Sequence, residues 1–126
     1  MATECPFCLM PGDAIVLRDG PCFAMWTGDH PIGSAMVLPS AHRVAPWDLT
    51  VEEWSATQRM LTALRTDIEA AHRPDGWNVG WNVLPTGGQS VPHAHCHLVP
   101  RYADEPYAGR GIRWWLKSNG NRRPFA

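Results

Sequence analysis

Apolar residues fall into short runs over the first third of the chain, a long periodic segment in the middle, and short runs again after it. Ala14 to Leu17 and Cys22 to Trp26 are two such runs, with Asp19-Gly20-Pro21 between them. Asp-Gly between apolar runs predicts a hairpin or tight turn. Ser34 to Leu38 is a third candidate strand, closed by Pro39. The middle segment opens with Thr50-Val51-Glu52-Glu53, a capping-box pattern in which Thr50 caps the Glu53 amide and Glu53 reaches back. Trp54, Leu61, Leu64, Ile68 and Ala71 then lie near one stripe of period 3.6, which predicts a helix with these residues in the core. Pro74-Asp75-Gly76 ends it. Asn78 to Leu84 and Val91 to Val99 read as fourth and fifth strands, separated by the turn Pro85-Thr86-Gly87-Gly88. Strand groups on either side of one long helix imply an α+β fold with a mainly antiparallel, five-stranded sheet.

The length of 126 residues suits one domain with a single core, taken as 1–126. Lys and Arg total 11 against 12 Asp and Glu, which argues against a broad surface for DNA or RNA and leaves room for a local anion pocket. Cations gather between Arg101 and Arg123, as a solvated tail or as one that helps to hold phosphates. The N-terminus has no basic region followed by an apolar run, and no apolar run approaches the ~20 residues of a membrane span. A cytoplasmic protein with no membrane partner is therefore expected. In that compartment the four cysteines are expected as thiols or metal ligands rather than disulfides. Cys5 and Cys8 have the spacing of a two-thiolate metal knuckle. The competing reading, a redox pair, lacks the surrounding βαβ pattern. Cys22 and Cys96 sit in predicted strands and are expected as buried packing residues. The seven Trp are expected mainly as packing residues too, with Trp114-Trp115 a candidate cover for a dimer surface or ligand pocket.

The chemistry concentrates in His93-Ala94-His95-Cys96-His97. Side chains alternate on a strand, so the three imidazoles are expected on one exposed face and Ala94, Cys96 and Leu98 on the other. Such a row suits a metal site, a nucleophile with electrostatic helpers, or a plain solvent face. Gly87-Gly88-Gln89-Ser90 precedes it and offers backbone amides and polar side chains to an anion. A phosphate beside a histidine needs that cradle, and three metal-bound histidines do not.

The run GGQSVPHAHCHLVPR, from Gly87 to Arg101, closely resembles the signature of the histidine-triad (HIT) superfamily. Met36-Val37-Leu38-Pro39 followed by His42 resembles that family's strand, proline and downstream histidine, and Cys5-Pro6-Phe7-Cys8 the start of its zinc-containing branches. The segment from Tyr102 to Arg123 resembles the C-terminal extension of bacterial members. The resemblance implies the HIT fold, with His95 as the nucleophile that forms a nucleotidyl-histidine. Neutral imidazole, of ordinary pKa about 6.5, suits that role near neutral pH. A backbone carbonyl is expected to orient His95 through its other ring nitrogen. The same resemblance implies that His97, Gln89 and Ser90 contact the phosphate or leaving group, that Gly88 contributes backbone, and that Asn82 bonds near the phosphate or ribose. It implies a structural zinc held by Cys5, Cys8, His42 and His93. Many relatives carry an acidic residue after the second strand to hold the ribose. This chain has Thr27 there and Asp29 two residues on, and Ser34 where many relatives carry a further histidine.

The expected activity is hydrolysis of dinucleoside polyphosphates or nucleoside phosphoramidates. The alternatives are a nucleotidyltransferase or phosphorylase, a nucleotide-binding protein with little turnover, and a metallohydrolase with all three triad histidines on one metal. The family implies a homodimer, which would cover a sheet edge.

Overall fold

The computed structural model describes residues 4–125. Five strands form one sheet: β1 (Leu17–Asp19), β2 (Cys22–Trp26), β3 (Ala35–Pro39), β4 (Gly76–Trp81) and β5 (Cys96–Arg101). Their order is β1-β2-β3-β5-β4, with every neighbouring pair antiparallel. The α+β architecture is as expected. The first hairpin turns at Gly20, whose φ of +54° most side chains avoid.

One long helix, α1 (Val51–His72), covers one face of the sheet. Thr50 and Glu53 close its N-terminus reciprocally, with Glu53 N–H donating to Thr50 Oγ1 at 3.1 Å and Thr50 N–H to Glu53 Oε1 at 2.7 Å. Arg73 in the left-handed conformation ends it. Between helix and sheet lie Ala56, Met60, Leu64 and Ile68, packed on Ala24, Ala35, Val37 and Leu98. Truncating Leu64 to Ala would cost about 3 kcal/mol.

The buried helix stripe differs from the expected one. It runs through Glu53, Ala56, Thr57, Met60, Leu64 and Ile68, whereas Trp54 and Ala71 are exposed. Trp54 instead meets Trp81 edge-on at the end of β4, with ring centroids 5.6 Å apart. Nor do the tryptophans fill the core. Trp26, Trp47, Trp54, Trp114 and Trp115 are exposed, and only Trp77 is packed against the central cluster. The inner face of the sheet is lined by Ala24, Ala35, Val37 and Leu98. Cys22 and Cys96 are buried as expected, and burial pushes the Cys96 thiol up to about 12.

Strand boundaries also shift. β1 begins at Leu17 rather than Ala14, because Gly12–Ala14 forms a 3-10 turn. β4 stops at Trp81, before Asn82, and Pro85–Gly87 is a 3-10 turn. β5 starts only at Cys96, five residues later than expected. The chain before it is bent: His93 N–H donates to Val91 O, and Ala94 N–H leaves the sheet for Arg43 O at 2.6 Å. The C-terminal extension follows β5 and contains α2 (Arg113–Leu116). Arg101 holds it through paired bonds to Glu105 and through the carbonyls of Tyr107 and Arg110. Among the described residues no helix is long and apolar enough to cross a membrane.

Candidate active site

β5 alternates buried and half-buried positions, with Leu98 on α1 and His97 on the opposite face. His97 stands opposite Met36 of β3 and Gly80 of β4. It lines an open cleft of about 300 Å³ with Asn78, Gly80, Trp81, Asn82 and Ile112. Burial, and then the neighbouring His95, hold its imidazole below the ordinary value, and Asp29 offsets part of this.

His95 precedes the ladder and lies beside His97, with ring centroids 4.8 Å apart. Its Nδ1 is 2.8 Å from the His93 carbonyl oxygen. A carbonyl only accepts, so Nδ1 carries a proton, and in the neutral imidazole Nε2 holds the lone pair. This is the orienting carbonyl that the sequence leaves unnamed, and it comes from the triad itself. Phe7 packs edge-on against His95 at 5.1 Å and His93 at 5.8 Å. The row is therefore not exposed as expected. His93 and His95 are 0% and 5% exposed, because the N-terminal loop closes over them.

The same argument fixes His93. Its Nε2 is 2.8 Å from Pro39 O and so carries the proton, which leaves the Nδ1 lone pair directed at two thiols. His93 Nδ1 is 3.4 Å from Cys5 Sγ and 3.6 Å from Cys8 Sγ, and His42 Nδ1 is 3.3 Å from Cys8 Sγ. The four donor atoms lie within 4.8 Å of one another, close enough to hold a metal. Ligands ~2.0–2.3 Å from a tetrahedral centre stand about 3.3–3.8 Å apart, so the donor set and spacing suit zinc. Burial and the neighbouring Cys5 push the Cys8 thiol up, so metal uptake would release protons.

The loop before the triad is arranged differently from a simple cradle. Gly87, Gly88 and Ser90 are exposed, as is Asn82. Gly88 has φ +96°, and a Cβ there would face the Asn82 amide at 3.6 Å. Gln89 is 6% exposed, and its amide bonds backbone at both ends, to Leu84 N–H and Val44 O. Thr27 is also engaged locally, bonding Ser34 O and accepting from Asp29 N–H. Ser34 is buried and donates to Pro31 O. Of the two candidates for the acidic position, the Asp29 carboxylate is the one whose charge reaches His97.

Phe7, Arg43 and Val44 join the site without having been singled out. Phe7 lies inside the Cys-x-x-Cys and Arg43 directly follows His42, so nearness to a marked residue was the available signal.

One imidazole on β5 and a second just before it, beside a glycine turn and with a four-donor cluster behind them, define a histidine-triad class of site. The HIT-domain family model matches residues 14–104. The chain belongs to the histidine-triad (HIT) family. A HIT family protein from Bacillus anthracis superposes with a TM-score of 0.77 at 30% identity, covering 96% of this chain and 86% of that one. "Protein hit" of Bacillus subtilis is 28% identical in a 115-residue alignment that covers 80% of this chain and 73% of that protein. The bis(5'-adenosyl)-triphosphatase of Saccharomyces cerevisiae is 38% identical over 55 residues, or 44% of this chain. The match spans only 27% of the yeast protein's length.

Proposed function

We propose that this chain is a nucleotide hydrolase acting on dinucleoside polyphosphates or nucleoside phosphoramidates through His95. The observation that carries the reading is the His95 tautomer. Its Nδ1–H donates to the His93 carbonyl, which in the neutral imidazole leaves Nε2 as the lone-pair nitrogen of a ring lying beside His97. Nε2 attacks the α-phosphorus, and the bond to the leaving group breaks with its electron pair. The resulting nucleotidyl-His95 is then attacked by water, which releases a nucleoside monophosphate and restores the imidazole.

His97 hydrogen-bonds the phosphate oxygens as charge develops on them. Gly88 and Ser90 face the phosphate or leaving group from the glycine turn, and Asn82 bonds near the phosphate or ribose. Asp29 takes the ribose hydroxyls in place of Thr27. A structural zinc on Cys5, Cys8, His42 and His93 ties the N-terminal loop to the triad. The name of the yeast relative, a diadenosine triphosphatase, supports the substrate class. A homodimer formed at the open edge of β4 and a cytoplasmic location complete the reading.

The test is product chromatography with diadenosine triphosphate and adenosine 5'-phosphoramidate, on wild type and His95→Asn. Release of AMP by the wild type, reduced about a thousandfold or more in the variant, is expected. No turnover across both substrates, or turnover that survives in the variant, contradicts the proposal.

A further inference from the structure

Gln89 is buried beneath an exposed turn, and three observations converge on it. First, Oε1 accepts from the Leu84 N–H and Nε2 donates to the Val44 carbonyl, each at 2.8 Å. One Nε2 hydrogen and one Oε1 lone pair remain, in a residue only 6% exposed. Second, Leu84 has φ 63° and ψ 162°, a region that glycine occupies and other residues avoid. Packing does not hold it there, because Leu84 is 56% exposed. Its peptide groups are held instead. The N–H meets Gln89 Oε1, and the carbonyl accepts from Gly87 and Gln89 N–H at 3.0 Å each.

Third, Val44 belongs to a segment that carries several parts of the site. His42 is in the four-donor cluster, the Arg43 carbonyl takes the Ala94 N–H between two triad histidines, and the Val44 carbonyl takes Gln89. The segment is itself clamped, because Arg43 Nε donates to the buried Glu53 carboxylate at 3.1 Å. Residues 42–44 thus form a rail on which the triad approach and the glycine turn both hang.

We propose that Gln89 is a positioning residue that holds the strained Leu84 turn against the 42–44 rail. It sets where Gly88 and Ser90 stand relative to His95, and it is not itself a phosphate contact. The catalytic consequence rests on the hydrolase reading above, whereas the mechanical one does not, so the test has an arm for each.

The mechanical arm is amide hydrogen exchange in Gln89→Met, which fills similar volume and cannot hydrogen-bond. Exchange at Leu84 and at Ala94 rises, with Ile68 in α1 unchanged as the reference. Wild-type protection at Ala94 overturns the proposal, whether or not the protein turns over any nucleotide. Gln89→Glu serves if the first variant fails to fold. At a pH where that carboxyl is ionised it retains the acceptor for Leu84 and deletes the donor to Val44, so Leu84 stays protected while Ala94 exchanges faster. Unchanged Ala94 exchange in that variant overturns the proposal equally.

The catalytic arm uses adenosine 5'-phosphoramidate. Displacement of the turn lowers kcat about 100-fold in Gln89→Met. Adding Leu84→Gly recovers at least several-fold of this, because glycine adopts that backbone without needing to be held. A side chain that touched phosphate could not be replaced in this way, so absence of recovery in an active wild-type background overturns the proposal.

Discussion

At one end of the triad, His93 is sealed at 0% exposure, with Nε2 committed to Pro39 and Nδ1 facing two thiols. Four residues on, His97 is half-buried beside an open cleft, in register with a glycine. Both imidazoles lie in one short run, yet the first is built to be held and the second to be reached. His95 joins them: its ring is buried like His93 and oriented by the His93 carbonyl, and it lies beside the His97 ring. Identical residue types meet different surroundings here because the N-terminal loop covers one end of the run and leaves the other open.

The largest effects should come from breaking the closed end. Cys5→Ser removes one donor of the four-residue cluster and is expected to lower zinc content and thermal stability together, by about 3 kcal/mol. Metal analysis and calorimetry check this, and unchanged zinc would refute the ligand set. The open end should respond in the opposite way. His97→Ala is expected to cut turnover by about 100-fold or more while changing stability little. Parallel losses of activity and stability would mean that the two ends are not separable.

Much of this division was legible in the sequence, and its limits have physical causes. The hairpin, the capping box and the antiparallel class follow from local patterns that survive in the structure. The Cys5, Cys8, His42 and His93 set came from family resemblance, and the fold brings those donors together. The conformation of the triad approach was not legible. Alternation predicts a strand through His93, but the partner of Ala94 N–H is Arg43, distant in sequence, and that bond takes the chain out of the ladder. Gln89 was equally opaque, because the same Gly-Gly-Gln-Ser pattern suits a phosphate contact or an internal strut. The bonds of its side chain to Leu84 N–H and the Val44 carbonyl appear only in the fold. The helix stripe shifted toward Glu53 because a capping carboxylate was paired with Arg43 and buried, whereas Trp54 found a partner at the sheet edge.

Away from both ends, Arg101 ties the C-terminal extension to the sheet through Glu105 at 2.8 Å, and both side chains are mostly buried. Glu105→Gln is expected to cost about 1 kcal/mol in urea unfolding and to leave zinc content unchanged. The Arg101 guanidinium holds the Glu105 carboxyl below the ordinary carboxylate range. Its contribution is therefore full above the ordinary glutamate value of about 4.3 and is lost as pH falls through the lowered folded value.

The smallest effect concerns His97 itself. Its imidazole is held low in the folded protein, so the unfolded chain takes up that proton more readily. The His97 share of stability is full above the ordinary value of about 6.5 and declines as pH falls below it. Urea melts from pH 7.5 to 5.5 should show a shallower decline for His97→Gln than for wild type. Equal slopes would place the proton uptake elsewhere.

The central claim, that His95 carries the nucleotidyl group, is tested most directly by rapid quenching with diadenosine triphosphate or adenosine 5'-phosphoramidate, followed by mass spectrometry. The account predicts an adenylyl adduct on His95, absent from His95→Asn. An adduct on another residue, or turnover with no adduct at any quench time, would contradict it.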